Sequence, residues 1–291
     1  ALLYLHACDN LELLGITTIF GNASIENCTS NALFLCEQFG VTAPVYRGAD
    51  RLLTGKKPEN YPDFVHGING LADIDARVSQ KLVEDQDASG FLVESANANP
   101  NEITILAVAR LTNIALAINK DPNFASRVKE IIFMGGAASC EGNVTTWAEA
   151  NIIGDPEAAS VVFNSGIPLV MVGLDVTFLT RMSHGFLDSL TSDLVHLQTL
   201  LLSINKVYAS FYKTSKNWDE FPSHDSSAIA YAHNPNMFGT ESGQLSCTLD
   251  GEERGRTVFT LASPGSHRVC LTVDSNALLD DYLKTVTAAY S

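Results

Sequence analysis

No stretch of the 291-residue sequence approaches the roughly 20 uninterrupted apolar residues that span a bilayer, and its most apolar run, Ile167 to Leu174, has only a strand's length. Positive charge is also scarce. Lys and Arg number 18 against 33 Asp and Glu, a formal charge of −15 that repels a phosphate backbone and argues against nucleic acid as a partner. The six cysteines (Cys8, Cys28, Cys36, Cys140, Cys247, Cys270) show neither a CxxC nor any Cys/His ligand spacing. That scatter argues against a zinc site and a disulfide scaffold, and buried free thiols are the expected state. Missing too are GxGxxG for a dinucleotide, GxxxxGK[ST] for phosphates and GxSxG for a nucleophile, and Gly135-Gly136 alone is a weak phosphate signal. Sequons begin at Asn22, Asn27 and Asn143, but such triplets arise by chance. With no signal-peptide pattern beside them, a soluble, cytoplasmic protein without a membrane partner is expected.

What is present is an alternation of short apolar runs and helical periodicity within a composition of 46% hydrophobic and 18% charged residues, that of a globular protein. Ala1 to Leu5 has the pattern of a helix interior. Leu13 to Ile19 is rich in β-branched residues, closes on Gly21-Asn22 and predicts a strand buried on both faces. From Ser24, the positions Ile25, Cys28, Ala32, Leu35 and Phe39 recur at helical spacing up to Gly40, a C-terminal stop. Ile103 to Val108, Ile131 to Met134 and Leu169 to Leu174 repeat the strand pattern. Asp155-Pro156-Glu157 marks the clearest helix start: a capping carboxylate, a proline at the first helical position and an acid at the positive helix end. Strands alternating with helices predict an α/β fold, a mostly parallel open sheet with helices on both faces. Lys56 to Asp73 reads as a long surface loop near a site. Gln244 to Leu249, Arg256 to Leu261 and Arg268 to Val273 predict a small antiparallel meander before a final helix.

In open parallel sheets, ligands bind beyond the carboxyl ends of the strands, so the loops after the runs are where chemistry should gather. Asn143, Glu149 and Asn151 offer amides and a carboxylate without a nucleophile, a set suited to a polyhydroxyl ligand such as a sugar; the same residues commonly satisfy backbone groups at helix starts. Asp225, after His224, reads either as a metal ligand or as a helix cap. Tyr208 and Tyr212, four apart on one helix face, suit stacking on a flat ligand or simple core packing. His66, beside Gly67 in the long loop, reads as a ligand contact or as an ordinary surface histidine.

Taken in order, Gly15-Ile16-Thr17-Thr18 with Gly21-Asn22, Leu111-Thr112-Asn113, Met134-Gly135-Gly136, Gly142-Asn143-Val144-Thr145 running into Ala148-Glu149-Ala150-Asn151-Ile152, Asp155-Pro156-Glu157-Ala158-Ala159 and His224-Asp225 resemble the nucleoside hydrolase family, and within it the inosine-uridine-preferring ribohydrolases. The resemblance spans nearly the whole chain. It implies a single domain over residues 1–291 with a Rossmann-like nucleoside hydrolase core. It also implies hydrolysis of the N-glycosidic bond of a ribonucleoside to ribose and free base, a step of purine and pyrimidine salvage, with a bound calcium ion (Ca2+) and assembly into a homodimer or homotetramer. Carried over by position, Asp225 resembles a metal-binding carboxylate and Thr112 the residue whose backbone carbonyl completes the metal shell. Asn22 falls beside them as a substrate-side residue. Asn143, Glu149 and Asn151 match ribose-hydroxyl ligands, with Met134 on the sugar's apolar face. His224 resembles the general acid that assists the leaving base, and Tyr208, Tyr212 and His66 fall at base-pocket positions.

The sequence also departs from the pattern that the resemblance implies. Family members open on a strand ending in Asp-x-Asp-Pro-Gly-x-Asp-Asp, which supplies most metal carboxylates and the base that activates water, and this segment does not occur in the 291 residues. The expectation is an active enzyme that carries the segment ahead of Ala1; the alternative is a non-catalytic nucleoside- or ribose-binding homologue. Ala109-Arg110 stands for the usual Gly-Pro, Ala150 for a Phe, and Ser226 for a Pro after His224-Asp225. Loss of the Phe either widens the pocket beside the sugar or leaves room that another residue fills.

Overall fold

The computed structural model describes residues 1–76 and 79–291. Its centre is a six-stranded sheet of β3 (Thr104–Ala107), β4 (Glu130–Met134), β5 (Leu169–Val172), β8 (Phe238–Cys247), β9 (Thr257–Leu261) and β10 (His267–Val273). The spatial order is β3-β4-β5-β10-β8-β9. The first four of these run parallel, and β8 and β9 add an antiparallel edge, paired through β8 to β10. The expected antiparallel segment is thus present and joined to the parallel strands. Two small ladders stand apart: β1 (Ile16–Thr17) with β2 (Val45–Tyr46), parallel, and β6 (Arg181–Met182) with β7 (Phe221–Pro222), antiparallel.

Alternation along β4 and β5 explains the layers. Ile132, Met134, Val170 and Val172 face one apolar cluster, together with Leu278, Tyr282 and Val286 of the last helix, Ser275–Tyr290. Ile131, Phe133, Leu169 and Met171 face the other, against Ile114, Ala115 and Ala117 of helix Thr112–Lys120 and Ala158, Ala159 and Val162 of helix Pro156–Phe163. Strands with both faces apolar need helices on both sides, and this sheet has them.

Local signals set the element ends. Ser24 accepts the Asn27 N–H at 3.2 Å to open helix Ile25–Phe39, and Gly40 closes it at φ 70°. Asp155 caps helix Pro156–Phe163 by accepting the Ala158 N–H at 3.2 Å. The strand expected over Leu13 to Ile19 shrinks to two residues because its partner β2 is itself only two residues long. Within the loop expected from Lys56 to Asp73 lies one short helix, Asp63–His66. Three thiols, Cys8, Cys36 and Cys270, are buried as expected, but Cys140 is exposed, on the loop that leaves β4. Among the described residues, no helix is long and apolar enough to cross a membrane.

Candidate active site

Glu149, 2% exposed, is the N-cap of the short helix Ala150–Ile153. Its Oε2 accepts the N–H groups of Gly136 (3.0 Å), Asn151 (2.9 Å) and Ile152 (3.2 Å), so one oxygen locks the loop after β4 onto the helix. Asn143 does similar work, its Oδ1 accepting the Ala150 N–H at 3.0 Å. The Asn151 amide donates to the Met134 carbonyl at 3.0 Å and lies 3.5 Å from the Met134 sulfur. These scaffold bonds do not use up the three side chains. Each of the three polar residues gives one atom to the scaffold, and Glu149 Oε1, Asn143 Nδ2 and Asn151 Oδ1 have no hydrogen-bond partner among the described residues. Fixed by its other atom, each free group is held in place, which is how a site binds hydroxyls at low entropic cost. Met134 is almost fully buried and forms the apolar floor beneath Asn151.

His224 and Asp225 open helix His224–His233, directly after β7. Asp225 is not a cap: the N-cap is Ser223, and no side chain caps the helix. Its carboxylate accepts no hydrogen bond from a described residue, and its recessed position pushes the carboxyl up to about 6 by desolvation. The Asp225 charge is felt at Glu149, whose carboxyl rises to about 7, first through burial and further through Asp225, against the pull of its three backbone bonds. Two carboxylates far apart in sequence thus share one electrostatic environment.

The wall beside them is aromatic. His224 Nδ1 lies 2.7 Å from the Thr177 hydroxyl and Nε2 lies 3.0 Å from the Tyr212 hydroxyl. Burial lowers the ring to about 3, with a smaller push from His66, so it is neutral at neutral pH. Tyr212 stacks on Trp218 with centroids 5.7 Å apart and meets Tyr208 edge-on at 5.1 Å. His66 stacks on Tyr208 at 5.8 Å, and burial lowers it to about 4. Helix Gln198–Lys216 supplies both tyrosines, as the four-residue spacing required. Tyr212 is nearly all core, whereas Tyr208 and His66 keep partial exposure.

Two expected residues have no side-chain hydrogen bond to this cluster. Asn22 is exposed after β1 and makes no hydrogen bond to this cluster. The Thr112 hydroxyl is fully buried and donates to Asp155 at 2.7 Å, so that side chain is committed to joining two helices. Ser226 is buried in the first turn of its helix. Thr177, Phe178 and Trp218 complete the histidine's surroundings and were not anticipated. Thr177 and Phe178 follow the apolar run of β5, so the strand-end rule applied to Gly173-Leu174-Asp175 onward would have flagged them. As to a metal, no group of three or more His, Cys, Asp or Glu side chains able to hold one occurs among the described residues. Calcium takes roughly six to eight oxygens. An unpaired, recessed carboxylate at Asp225 fits part of such a shell and does not complete it.

The family model described as inosine-uridine preferring nucleoside hydrolase matches residues 1–280. The chain belongs to this nucleoside hydrolase family. Uridine nucleosidase 1 of Arabidopsis thaliana is 38% identical over 260 residues, covering 89% of this chain and 77% of that protein. Among solved structures, the plant nucleoside hydrolase PpNRh1 superposes with a TM-score of 0.94 at 32% identity, covering 99% of this chain and 94% of that one. A purine-preferring ribonucleoside hydrolase from Gardnerella vaginalis gives 0.95 at 30% identity, covering 100% and 94%. This nucleoside hydrolase is accordingly an enzyme of a metal-dependent family, with the α/β core that its sequence periodicity requires.

Proposed function

We propose that this protein hydrolyses the N-glycosidic bond of ribonucleosides of the inosine and uridine type, releasing ribose and free base within one domain over residues 1–291. The observation that carries the reading is convergence: Tyr212 bonds His224 at 3.0 Å, Glu149 feels the charge of Asp225, and Tyr212 feels that of Glu149. Glu149 Oε1 and Asn151 Oδ1 accept hydrogen bonds from the ribose hydroxyls, and Asn143 Nδ2 donates one to a sugar oxygen. Met134 supports the apolar face of the ring. Tyr208 and His66 flank the base, and Asn22 reaches the substrate from the loop after β1. His224, the expected general acid, forms a hydrogen-bonded chain with the hydroxyls of Thr177 and Tyr212, along which the departing base receives a proton while the chain takes up the one that the attacking water releases. C–N cleavage leaves a cationic sugar, which the carboxylates of Asp225 and, above about pH 7, of Glu149 stabilise through their field.

Calcium is the metal we assign, on the hard oxygen chemistry of Asp225 and of the Thr112 backbone carbonyl as its ligands. Held there, such an ion would supply oxygen coordination for a vicinal diol and a lowered pKa for a bound water. The six free cysteines support a reducing, cytoplasmic setting, and closed homo-oligomers are the general expectation for such enzymes. Release of reducing sugar from uridine and inosine tests the function directly: turnover by the full chain, lost in Asp225→Asn, is expected. Tight nucleoside binding without any sugar release would overturn it.

A further inference from the structure

Asn143 differs from Glu149 and Asn151 in being exposed, on a loop whose residues 143–146 are all exposed. A loop in that position spends free energy on ordering when a ligand arrives. This one is closed on itself. The Gly142 N–H donates to the Thr146 carbonyl at 3.0 Å, the Val144 N–H to the Ala148 carbonyl at 3.2 Å and the Ala148 N–H to Thr145 Oγ1 at 3.0 Å. Gly142 leaves no room for a side chain, since a Cβ there would lie 2.2 Å from the Ala148 carbonyl oxygen. Closure gives the loop a shape without fixing where it sits.

The residues that lead into β9 hold it from outside. Ala148 bridges to Arg256 as an antiparallel pair, and the Arg256 guanidinium lies 4.7 Å from the centre of the Trp147 ring. Arg256 Nη1 is also 2.7 Å from Glu253 Oε2, so the cation has a carboxylate and an aromatic ring as partners. Its neighbours do related work. Arg254 bonds both oxygens of Glu157 at 2.8 Å, and Gly255 lies so close to helix Ala150–Ile153 that a Cβ would meet Ile153 Cβ at 2.8 Å. Thr257 stands against Gly136, where a Cβ would lie 2.7 Å from Thr257 Oγ1, and Glu149 accepts the Gly136 N–H. Four consecutive residues thus touch, in turn, helix Pro156–Phe163, helix Ala150–Ile153, the Asn143 loop and the loop that Glu149 locks. The two helices are already capped by Asp155 and Glu149, so the contact that matters most falls on the exposed loop. A guanidinium over an indole face is drawn by the ring quadrupole and stacks on its plane, which sets orientation as well as distance.

We infer that Arg256 and Trp147 are positioning residues for the substrate: their contact fixes the loop 142–148, so that Asn143 meets the sugar already ordered. The inference rests on the sugar-binding reading of Asn143 given above. Asn143 Oδ1 is tied to the Ala150 N–H at 3.0 Å, and the Arg256–Trp147 contact holds the other end of the same loop. Neither Arg256 nor Trp147 has a place in the chemical step. Their loss therefore returns the ordering cost to substrate binding, which the ground state and the transition state share.

Steady-state uridine kinetics on the full chain test it, with Arg256→Ala, Arg256→Lys, Trp147→Ala and Asn143→Ala taken singly and Arg256→Ala combined with Asn143→Ala. Arg256→Ala should raise KM about fivefold with kcat within about twofold, and Arg256→Lys, which keeps a cation over the ring, should recover most of the loss. Trp147→Ala should reproduce the Arg256→Ala values, and it decides the matter if Arg256→Ala does not fold. In the Asn143→Ala background, Arg256→Ala should raise KM no further, because the loop then has nothing to present. Amide exchange reads the same hold without substrate: the Val144 and Ala148 N–H groups should exchange about fivefold faster in Arg256→Ala, and those of β4 at the wild-type rate. An unchanged KM in Arg256→Ala and Trp147→Ala, unchanged exchange at Val144 and Ala148, or a KM rise that persists undiminished without Asn143 overturns the inference. The failures are distinguishable. A KM that responds to Asn143→Ala but not to Arg256→Ala overturns the role of Arg256 alone, a KM indifferent to Asn143→Ala overturns the sugar role of Asn143 with it, and absence of wild-type turnover overturns the proposed function as well.

Discussion

Glu149 holds three backbone N–H groups on one carboxylate oxygen, and on the proposed function its other oxygen meets the sugar, two roles that a single substitution separates. In Glu149→Gln, the remaining carbonyl oxygen still accepts the N–H groups of Gly136, Asn151 and Ile152, while the free acceptor becomes a donor facing the sugar. We expect kcat/KM for uridine to fall about 100-fold, roughly 3 kcal/mol of lost transition-state stabilisation, with the fold intact by circular dichroism. The pH dependence has a definite sign. Burial raises the folded-state value to about 7 from 4.5, so the protonated acid is the form that the fold favours. Its contribution to stability is complete below the unfolded value and is lost as pH rises through about 7. The variant's thermal midpoint should therefore match or exceed that of the wild type at pH 8, the difference at most about 3 kcal/mol, and the gap should close towards pH 5. Tyr212→Phe keeps the stack on Trp218 and removes the hydroxyl on His224 Nε2. It should lower kcat about tenfold or more with little change in KM, read by steady-state kinetics. Residue types at this scale were legible from the sequence as a pair of readings, a sugar site or partners for the backbone, and the hydrogen bonds of Asn143, Glu149 and Asn151 bear out the second. Partners were not: Thr177 reaches His224 across 47 positions, and nothing local encodes that pairing.

Helix Pro156–Phe163 shows how an element holds the site's frame. Asp155, 1% exposed, caps it and also accepts from Thr112, at the start of helix Thr112–Lys120, and from Leu53 at 2.7 Å. Asp155→Ala leaves three donors unsatisfied, two of them buried, which we expect to cost about 2–4 kcal/mol and to lower the thermal midpoint by roughly 5–10 °C in a calorimetric scan. Caps and stops of this kind were visible in the sequence because their chemistry is local, as Ser24, Gly40 and Asp155-Pro156 show. Strand length was not. Leu13 to Ile19 has the composition of a full strand, yet a ladder is as long as its shorter partner, and Val45–Tyr46 lies too far along the chain to be weighed. β8 likewise begins at Phe238, because pairing with β10 carries it past the point where its alternating pattern starts.

Across the whole molecule, the two-sided core was legible and the strand order was not. Runs such as Ile131 to Met134 announce burial on both faces, but insertion of β10 between β5 and β8 depends on side-chain fit over long separations. Net charge belongs to this scale as well. At −15 the molecule attracts divalent cations at long range and exerts no comparable pull on a neutral nucleoside. Raising monovalent salt from about 0.05 to 0.5 M shortens the Debye length from roughly 14 to 4 Å and screens the first effect alone. We therefore expect the metal concentration that half-restores activity after chelation to rise several-fold over this range, while KM for uridine at saturating metal stays within about twofold. Turnover should vanish on exhaustive dialysis against a chelator and return with calcium, and the far-ultraviolet dichroism should hold throughout, because the apolar clusters on the two faces of the sheet do not depend on the ion. Undiminished turnover after calcium removal would refute the metal's role. A salt-sensitive KM for uridine would place the protein's field, rather than the fixed groups of Glu149 and Asn151, in control of substrate capture.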